Sequence, residues 1–430
     1  MTVPLYFGRK PAVDFIRHMF QYVAQPDRVE AFQKFLGRSE KNLPWDELFL
    51  LLHLQGLAPF TYYSLRAPEW QSRLPESFLA QLKNAFRETS LQNFFLQREL
   101  KRLNELFIKG RLMVIPLKGA SLINRFYPLP GIRPMQDIDL LIHDRDWEKV
   151  MQVMLTAGYR SLSDLPEKWV KGFHFHAAFF LPGPEVVVEV HWNLTDEHLL
   201  PLKKWQALWD RAYFSESARS WFLADRDQFL YQCLHLYKHG TFNAVLARQP
   251  NLMEFLFEPL SGNRLIWFLD LWLLMKDERF PDLDGLIREA RQWRVGPALH
   301  SSLVLTQALF QPLPPWAWPP GHPPPALPRV KYFLLARLAD GAAKESRWTR
   351  TLLMRLQSLD QRLHVRPVRA LDMIDRLFPS PDQRREWSER HSKRWVPFLY
   401  LFAFLRGLRL TFSQALTLIK MKRYRGLKKS

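Results

Sequence analysis

Residues 114–142 read VIPLKGASLINRFYPLPGIRPMQDIDLLI, and the order of residue types in this stretch decides the fold. It opens inside a short apolar strand pattern (112–116, LMVIP) and closes on DIDLLI (137–142), which alternates like a half-buried strand. Asp137 and Asp139 are one residue apart, so on a strand both carboxylates project from one face. Ile138, Leu140 and Ile142 then anchor the opposite face in a core. Two like charges this close repel, and a cation or a shared proton between them is the usual justification.

Between the two strands, Lys118 and Gly119 open a helical pattern that begins near residue 120. Gly119 permits close backbone approach, the helix start offers free N–H groups, and Lys118 adds a point charge. Ser121 can add a hydroxyl, and Arg133 stands just before the carboxylates as a further phosphate clamp. A second helical pattern runs over 144–157, starting on an aspartate and stopping at Gly158. Strand character returns at 173–181 and at 186–192 (VVVEVHW), where Glu189 and His191 share one face. Three carboxylates on neighbouring strands are all oxygen ligands, which favours a hard ion such as Mg²⁺ over zinc. A two-metal arrangement of this kind can hold the attacking and leaving oxygens of an in-line phosphoryl displacement.

The string LKGAS…YPLPGIRPMQDIDLLI, the later helix ending in AGY, and VEVHW together resemble the uncharacterised nucleotidyltransferase family of the polymerase-β-like superfold. The similarity runs from about residue 51 to about residue 274. It implies an α+β fold, a small mixed sheet with flanking helices set between N-terminal and C-terminal helical regions. It also implies a nucleoside triphosphate such as ATP as donor, with Mg²⁺, or Mn²⁺ as the alternative, held by three acids. On this resemblance Asp137 and Asp139 are the paired metal ligands, and Glu189 is the third acid, helping to activate an acceptor hydroxyl. Lys118 and Gly119 stand where the superfold usually carries a Gly-Gly or Gly-Ser loop, with Ser121 and Arg133 as the other nucleotide contacts.

The rest of the chain frames this core. Residues 1–110 read as an N-terminal helical region, with one apolar stripe at Phe78, Leu82 and Phe86 and another at Leu96, Leu100, Leu103 and Phe107. The catalytic core is expected over 111–200 and a helical domain over 201–311. Nine prolines between 312 and 328 exclude helix and central strand, so 312–329 reads as a semi-rigid linker. A basic helical region over 330–430 completes the map. Of the net charge of +19, residues 341–430 carry +14, from 21 Lys+Arg against 7 Asp+Glu. This is either a helical subdomain with a solvated basic face or a surface for RNA, DNA or anionic lipid. Within it, residues 395–430 pass from aromatic and aliphatic residues to a terminal cationic cluster, which suits an interfacial helix and a phosphate-tracking tail alike.

Composition excludes several classes. With 47% hydrophobic and 24% charged residues the chain is neither disordered nor fibrous. Its one cysteine, Cys233, excludes an intrachain disulfide and a multi-thiolate zinc site, and reads as a buried small hydrophobe. No run of about 18 uncharged apolar residues occurs, and the start lacks an apolar signal-peptide core. A cytoplasmic protein is expected, with peripheral membrane contact through 395–430 as an option.

The histidines carry two readings. His174 and His176 alternate on one strand face and, with His191, either touch a phosphate or the acceptor or are hydrogen-bonded residues flanking a cleft. His235 and His239 have zinc-compatible spacing but no evident third ligand, so a structural role in the helical domain is expected. Asp270, inside the apolar LIWFLD, pairs with those histidines or joins the acceptor pocket, while Trp267, Trp272 and Trp293 are expected in the core. The functional expectation is Mg²⁺-dependent transfer of a nucleoside monophosphate to a hydroxyl of RNA, protein or a small molecule. The alternative is a catalytically silent protein of the same fold that binds nucleic acid or anionic membrane through its basic region.

Overall fold

The computed structural model describes residues 10–39, 43–162, 175–183, 185–194, 206–239, 264–280, 282–293 and 295–310. All of them fall in the first of two compact units, Met1–Gln361. The proline-rich segment, the basic region and His174 lie outside the described residues.

Helices α1 (Lys10–Ala24), α2 (Val29–Ser39), α3 (Trp45–Leu54), α4 (Ala58–Ser64) and α5 (Pro68–Gln71) come first. They lead to α6 (Glu76–Lys109), a single 34-residue helix that carries both apolar stripes expected upstream. The stripes serve different cores. Phe78 and Leu82 pack with the N-terminal helices, whereas Leu96, Leu100, Leu103 and Phe107 pack against the sheet.

Next come β1 (Val114–Pro116), α7 (Lys118–Phe126), β2 (Ile138–Ile142), α8 (Trp147–Thr156), β3 (Arg160–Ser161), β4 (His176–Leu181) and β5 (Val186–His191). These strands form a mixed five-stranded sheet in the order β1-β2-β5-β4-β3, as an α+β fold requires. The pair β2–β5 is parallel and its neighbours are antiparallel. Pro116, which lacks an N–H, is tolerated because β1 is an edge strand. Gly158 follows α8 with φ +93°, the left-handed conformation that ends a helix at little cost to glycine.

Strand alternation divides the sheet into two unlike faces. Ile138, Leu140 and Ile142 of β2, with Val186, Val188 and Val190 of β5, are buried against α6 and α8. Each such side chain contributes about 1.5–3 kcal/mol on burial, and a slip of one residue would expose all of them, so the register is firmly set. The intervening residues Asp139, Leu141, Glu189 and His191 must therefore face the other way.

That second face meets the later helices. The chain continues through α9 (Gln206–Arg211), a hairpin of β6 (Tyr213–Ser215) and β7 (Ser220–Phe222), α10 (Asp225–His239), α11 (Leu265–Lys276), α12 (Leu283–Gln292) and α13 (Gly296–Phe310). The hairpin departs from the wholly helical reading of 201–311. Its strands are three residues each, too short for an alternating signal, and Arg219 at φ +47° turns the chain. Phe20 of α1 stacks on Phe310 of α13 with ring centroids 4.3 Å apart, so helices before and after the sheet share one core. Trp272 and Trp293 are buried in that core, as is Cys233.

Candidate functional site

The site grows from one register. In the parallel pair β2–β5, Asp139 lies directly opposite Glu189, on the face turned away from the α6–α8 core. His191, two residues on from Glu189, brings its Nε2 to 2.9 Å from Asp139 Oδ1 and 3.4 Å from Glu189 Oε2. His176 of β4 is the register partner of His191 and stacks on it with centroids 5.0 Å apart. Its Nε2 stands 3.9 Å from Glu189 Oε1.

Lys118 is brought in from the opposite side by the backbone. After β1 ends, Leu117 donates its N–H to the Asp139 carbonyl at 2.9 Å, so the next residue falls beside the Asp139 side chain. Lys118 adopts φ +47°, an uncommon conformation for a residue with a Cβ, and its Nζ reaches Asp139 Oδ1 at 2.6 Å and Glu189 Oε2 at 3.9 Å. Gly119 is required for a different reason. A Cβ there would collide with Arg133 Nη1 and approach Met135 Cγ to 2.9 Å.

The charges are strongly interdependent. Burial opposes ionisation of Asp139, but Lys118 and the His191 hydrogen bond outweigh it and hold the carboxyl below its ordinary range. Burial likewise opposes the Lys118 charge, and Asp139 with Glu189 more than reverses it, holding the ammonium above its usual value. The His191 hydrogen bond lowers Glu189. Asp137 behaves oppositely: burial and the nearby Asp139 push it up to about 6.

One cavity of about 380 Å³ is lined by Lys118, Gly119, Arg133, Asp137, Asp139, His176, Glu189 and His191. Most of the residues expected from the sequence are thus brought together. Ser121 is not among them: it is buried in α7 and donates to Gln228 Oε1 of α10 at 2.9 Å. Arg133 lines the cavity but is engaged behind it, with Nε and Nη2 each 2.8 Å from the two oxygens of Asp270. Tyr127 donates to the same carboxylate at 2.5 Å. Asp270 is therefore partnered by an arginine and a tyrosine.

The helical half of the cavity was not legible beforehand. Tyr231 and His235 of α10 and Arg264, Ile266 and Trp267 at the start of α11 form its far wall. Trp267 is thus a cavity residue as well as a packing one. Burial and the neighbouring Arg133 hold Arg264 below the usual arginine value. No sequence signal marks Arg264, whose segment meets the sheet only in three dimensions.

Among the described residues, Asp139, Glu189 and His191 offer ligand atoms within 4.8 Å of one another. With bonds of about 2.1 Å, ligands of one ion stand about 3–4 Å apart, so two carboxylates and an imidazole at this spacing fit a divalent cation after small adjustments. Asp137, which the resemblance gives as a paired ligand, lines the same cavity but is not one of these three. Asp137 precedes β2, outside the hydrogen-bonded register, and nothing in the sheet holds it opposite β5.

The described helices include none long and apolar enough to cross a membrane. No curated protein and no solved structure matches the chain. A family model described as an uncharacterised nucleotidyltransferase matches residues 41–311, which span every element of the sheet and both walls of the cavity. The chain belongs to that uncharacterised nucleotidyltransferase family.

Proposed function

We propose that the protein transfers a nucleoside monophosphate from a nucleoside triphosphate to a hydroxyl acceptor, with Mg²⁺ as the cation. The observation that carries the reading is the pairing of Asp139 with Glu189 across two parallel strands, beside Lys118 and in a cavity with Asp137. When bound, the cation would supply charge stabilisation at the α-phosphate, and Asp139, Glu189 and His191, with Asp137 nearby, would hold it. Lys118 and Arg264 bring positive charge to the same cavity and would bind the remaining phosphates.

In the reaction, the acceptor oxygen bonds to the α-phosphorus while the α–β phosphoanhydride bond breaks and pyrophosphate departs. The hydroxyl proton passes to a carboxylate, and Glu189 is the base: it is half-buried and reachable from the cavity. His176 flanks Glu189 on the far side, its Nε2 3.9 Å from Oε1.

The test is incubation of the protein with each labelled nucleoside triphosphate and cell extract. Label should enter RNA, protein or a small molecule, and Asp139→Asn should reduce transfer by about a thousandfold, as loss of a charge acting at the reacting phosphate does. An Asp139→Asn protein that labels as well as the wild type would remove this site from the reaction. Nucleotide binding without any transfer by the wild type would favour a silent binding protein.

A further inference from the structure

A second cavity, of about 190 Å³, opens beyond the C-terminal ends of the two parallel strands. His143 stands one residue past the end of β2 and Asn193 two residues past the end of β5, so both reach it from the same side of the sheet. Leu194 lines this cavity and the catalytic one, so the two are neighbours.

Asn193 is the unusual feature. Its side chain is only 1% exposed, yet neither Nδ2 nor Oδ1 meets a hydrogen-bond partner among the described residues. Buried amides are almost always satisfied, and an unsatisfied one that lines a cavity implies a partner that enters the cavity. An asparagine amide offers one donor edge and one acceptor edge, the complement of a nucleobase edge that sets an amino donor beside a ring acceptor, as adenine and cytosine do.

The remaining walls suit a flat ring. His143 and Trp209 stack with centroids 3.7 Å apart. Burial and Arg145 hold His143 below the usual histidine value, and Asp144 and Arg145 also line the cavity. Aromatic walls with one directed hydrogen-bonding group are how proteins hold a nucleobase outside a duplex. The spacing also suits one ligand. Four residues separate Asp139 from His143 and Glu189 from Asn193, at most about 13 Å of strand, comparable to an extended nucleoside monophosphate.

We propose that this cavity is the base subsite of the donor nucleotide, with Asn193 selecting a base that sets an amino group beside a ring acceptor, adenine or cytosine. The inference rests on the nucleotidyl-transfer reading of the neighbouring site and adds the choice of donor to it. Calorimetry on the full chain with Mg²⁺ and each of ATP, GTP, CTP and UTP tests it, with inorganic triphosphate as the probe that lacks a base. ATP and CTP should bind at least about tenfold tighter than GTP and UTP. Asn193→Leu, similar in volume and without the unpaired amide, should lose that preference while its affinity for inorganic triphosphate stays within about twofold and its melting temperature does not fall. Should the leucine variant not fold, Asn193→Ser, which keeps a polar group but withdraws it, should show the same loss. Equal binding of all four nucleotides by the wild type, or a preference for ATP and CTP that survives both substitutions, overturns the base subsite and leaves the catalytic reading standing. Absence of binding by any nucleotide or by inorganic triphosphate overturns both.

Discussion

Two buried carboxylates, Asp270 and Asp139, are each faced by a cation, and they differ in how completely they are satisfied. Asp270 receives Arg133 on both oxygens and Tyr127 on one, a bidentate pair closed by a third donor. Asp139 receives Lys118 and His191 on the same oxygen, Oδ1, with Glu189 opposite and Asp137 in the same cavity. The first arrangement is saturated and joins the loop before β2 to α11. The second concentrates negative charge around a single ammonium and has ligating capacity left over. One is a strut and the other the centre of the proposed site, although both are buried ion pairs.

The comparison breaks most visibly at the strut. Arg133→Met leaves Asp270 charged and buried, and removing one partner of such a pair costs about 3–5 kcal/mol. Denaturant unfolding should register that loss, and adding Asp270→Leu to Arg133→Met should recover much of it. Unchanged unfolding together with a raised KM for the nucleotide would instead make Arg133 a phosphate ligand first and a strut second.

Lys118→Met probes the other pair. Asp139 would lose its nearest cation in a site where its side chain is 3% exposed, and a loss of about 2–3 kcal/mol is expected without divalent ions. Mg²⁺ or Mn²⁺ should restore more stability to this variant than it adds to the wild type, because binding to the folded state alone stabilises it. Equal thermal shifts in the two proteins would argue against a cation beside Asp139.

Asp137 gives a smaller, pH-dependent effect. Its folded value of about 6 lies above the unfolded value of about 3.9, so the folded state binds the proton more tightly. Stability from this group is present below about pH 4 and is lost as pH rises through about 6. Asp137→Asn should flatten that window and leave the protein about 1–2 kcal/mol more stable at pH 7 to 8 in the absence of divalent ions, after discounting for the partial exposure of the side chain. A wild-type stability that does not decline between pH 4 and 6 would count against the raised value.

The sequence was informative wherever a local period decides geometry. Asp139 and Glu189 were legible because a strand turns alternate residues to one face, and Gly119 because a close approach excludes a Cβ. What escaped was set by partners far along the chain. Arg133 looks like a phosphate clamp until Asp270, 137 residues away, is seen to occupy it. His191 shares the Glu189 face by strand alternation, but its approach to Asp139 depends on the β2–β5 pairing, which spacing alone does not give. Arg264 and Tyr231 entered the cavity only through the docking of α10 and α11 on the sheet, and two- and three-residue strands carry too few positions to alternate.

Ser121 supplies the finest test. In the sequence it stands two residues after Gly119, where a hydroxyl could meet a phosphate, yet in the fold it donates to Gln228 on the buried side of α7. Ser121→Ala would deprive Gln228 Oε1 of its donor while Gln228 Nε2 already lacks a partner, so stability should fall by about 1 kcal/mol. Nucleotide KM and kcat should each change by less than about twofold, because nothing that lines the cavity has moved. A rise in KM of about tenfold with unchanged unfolding would require the hydroxyl to turn toward the phosphates when nucleotide binds. In that case α7, rather than Lys118 alone, would be the anion-binding element of the site.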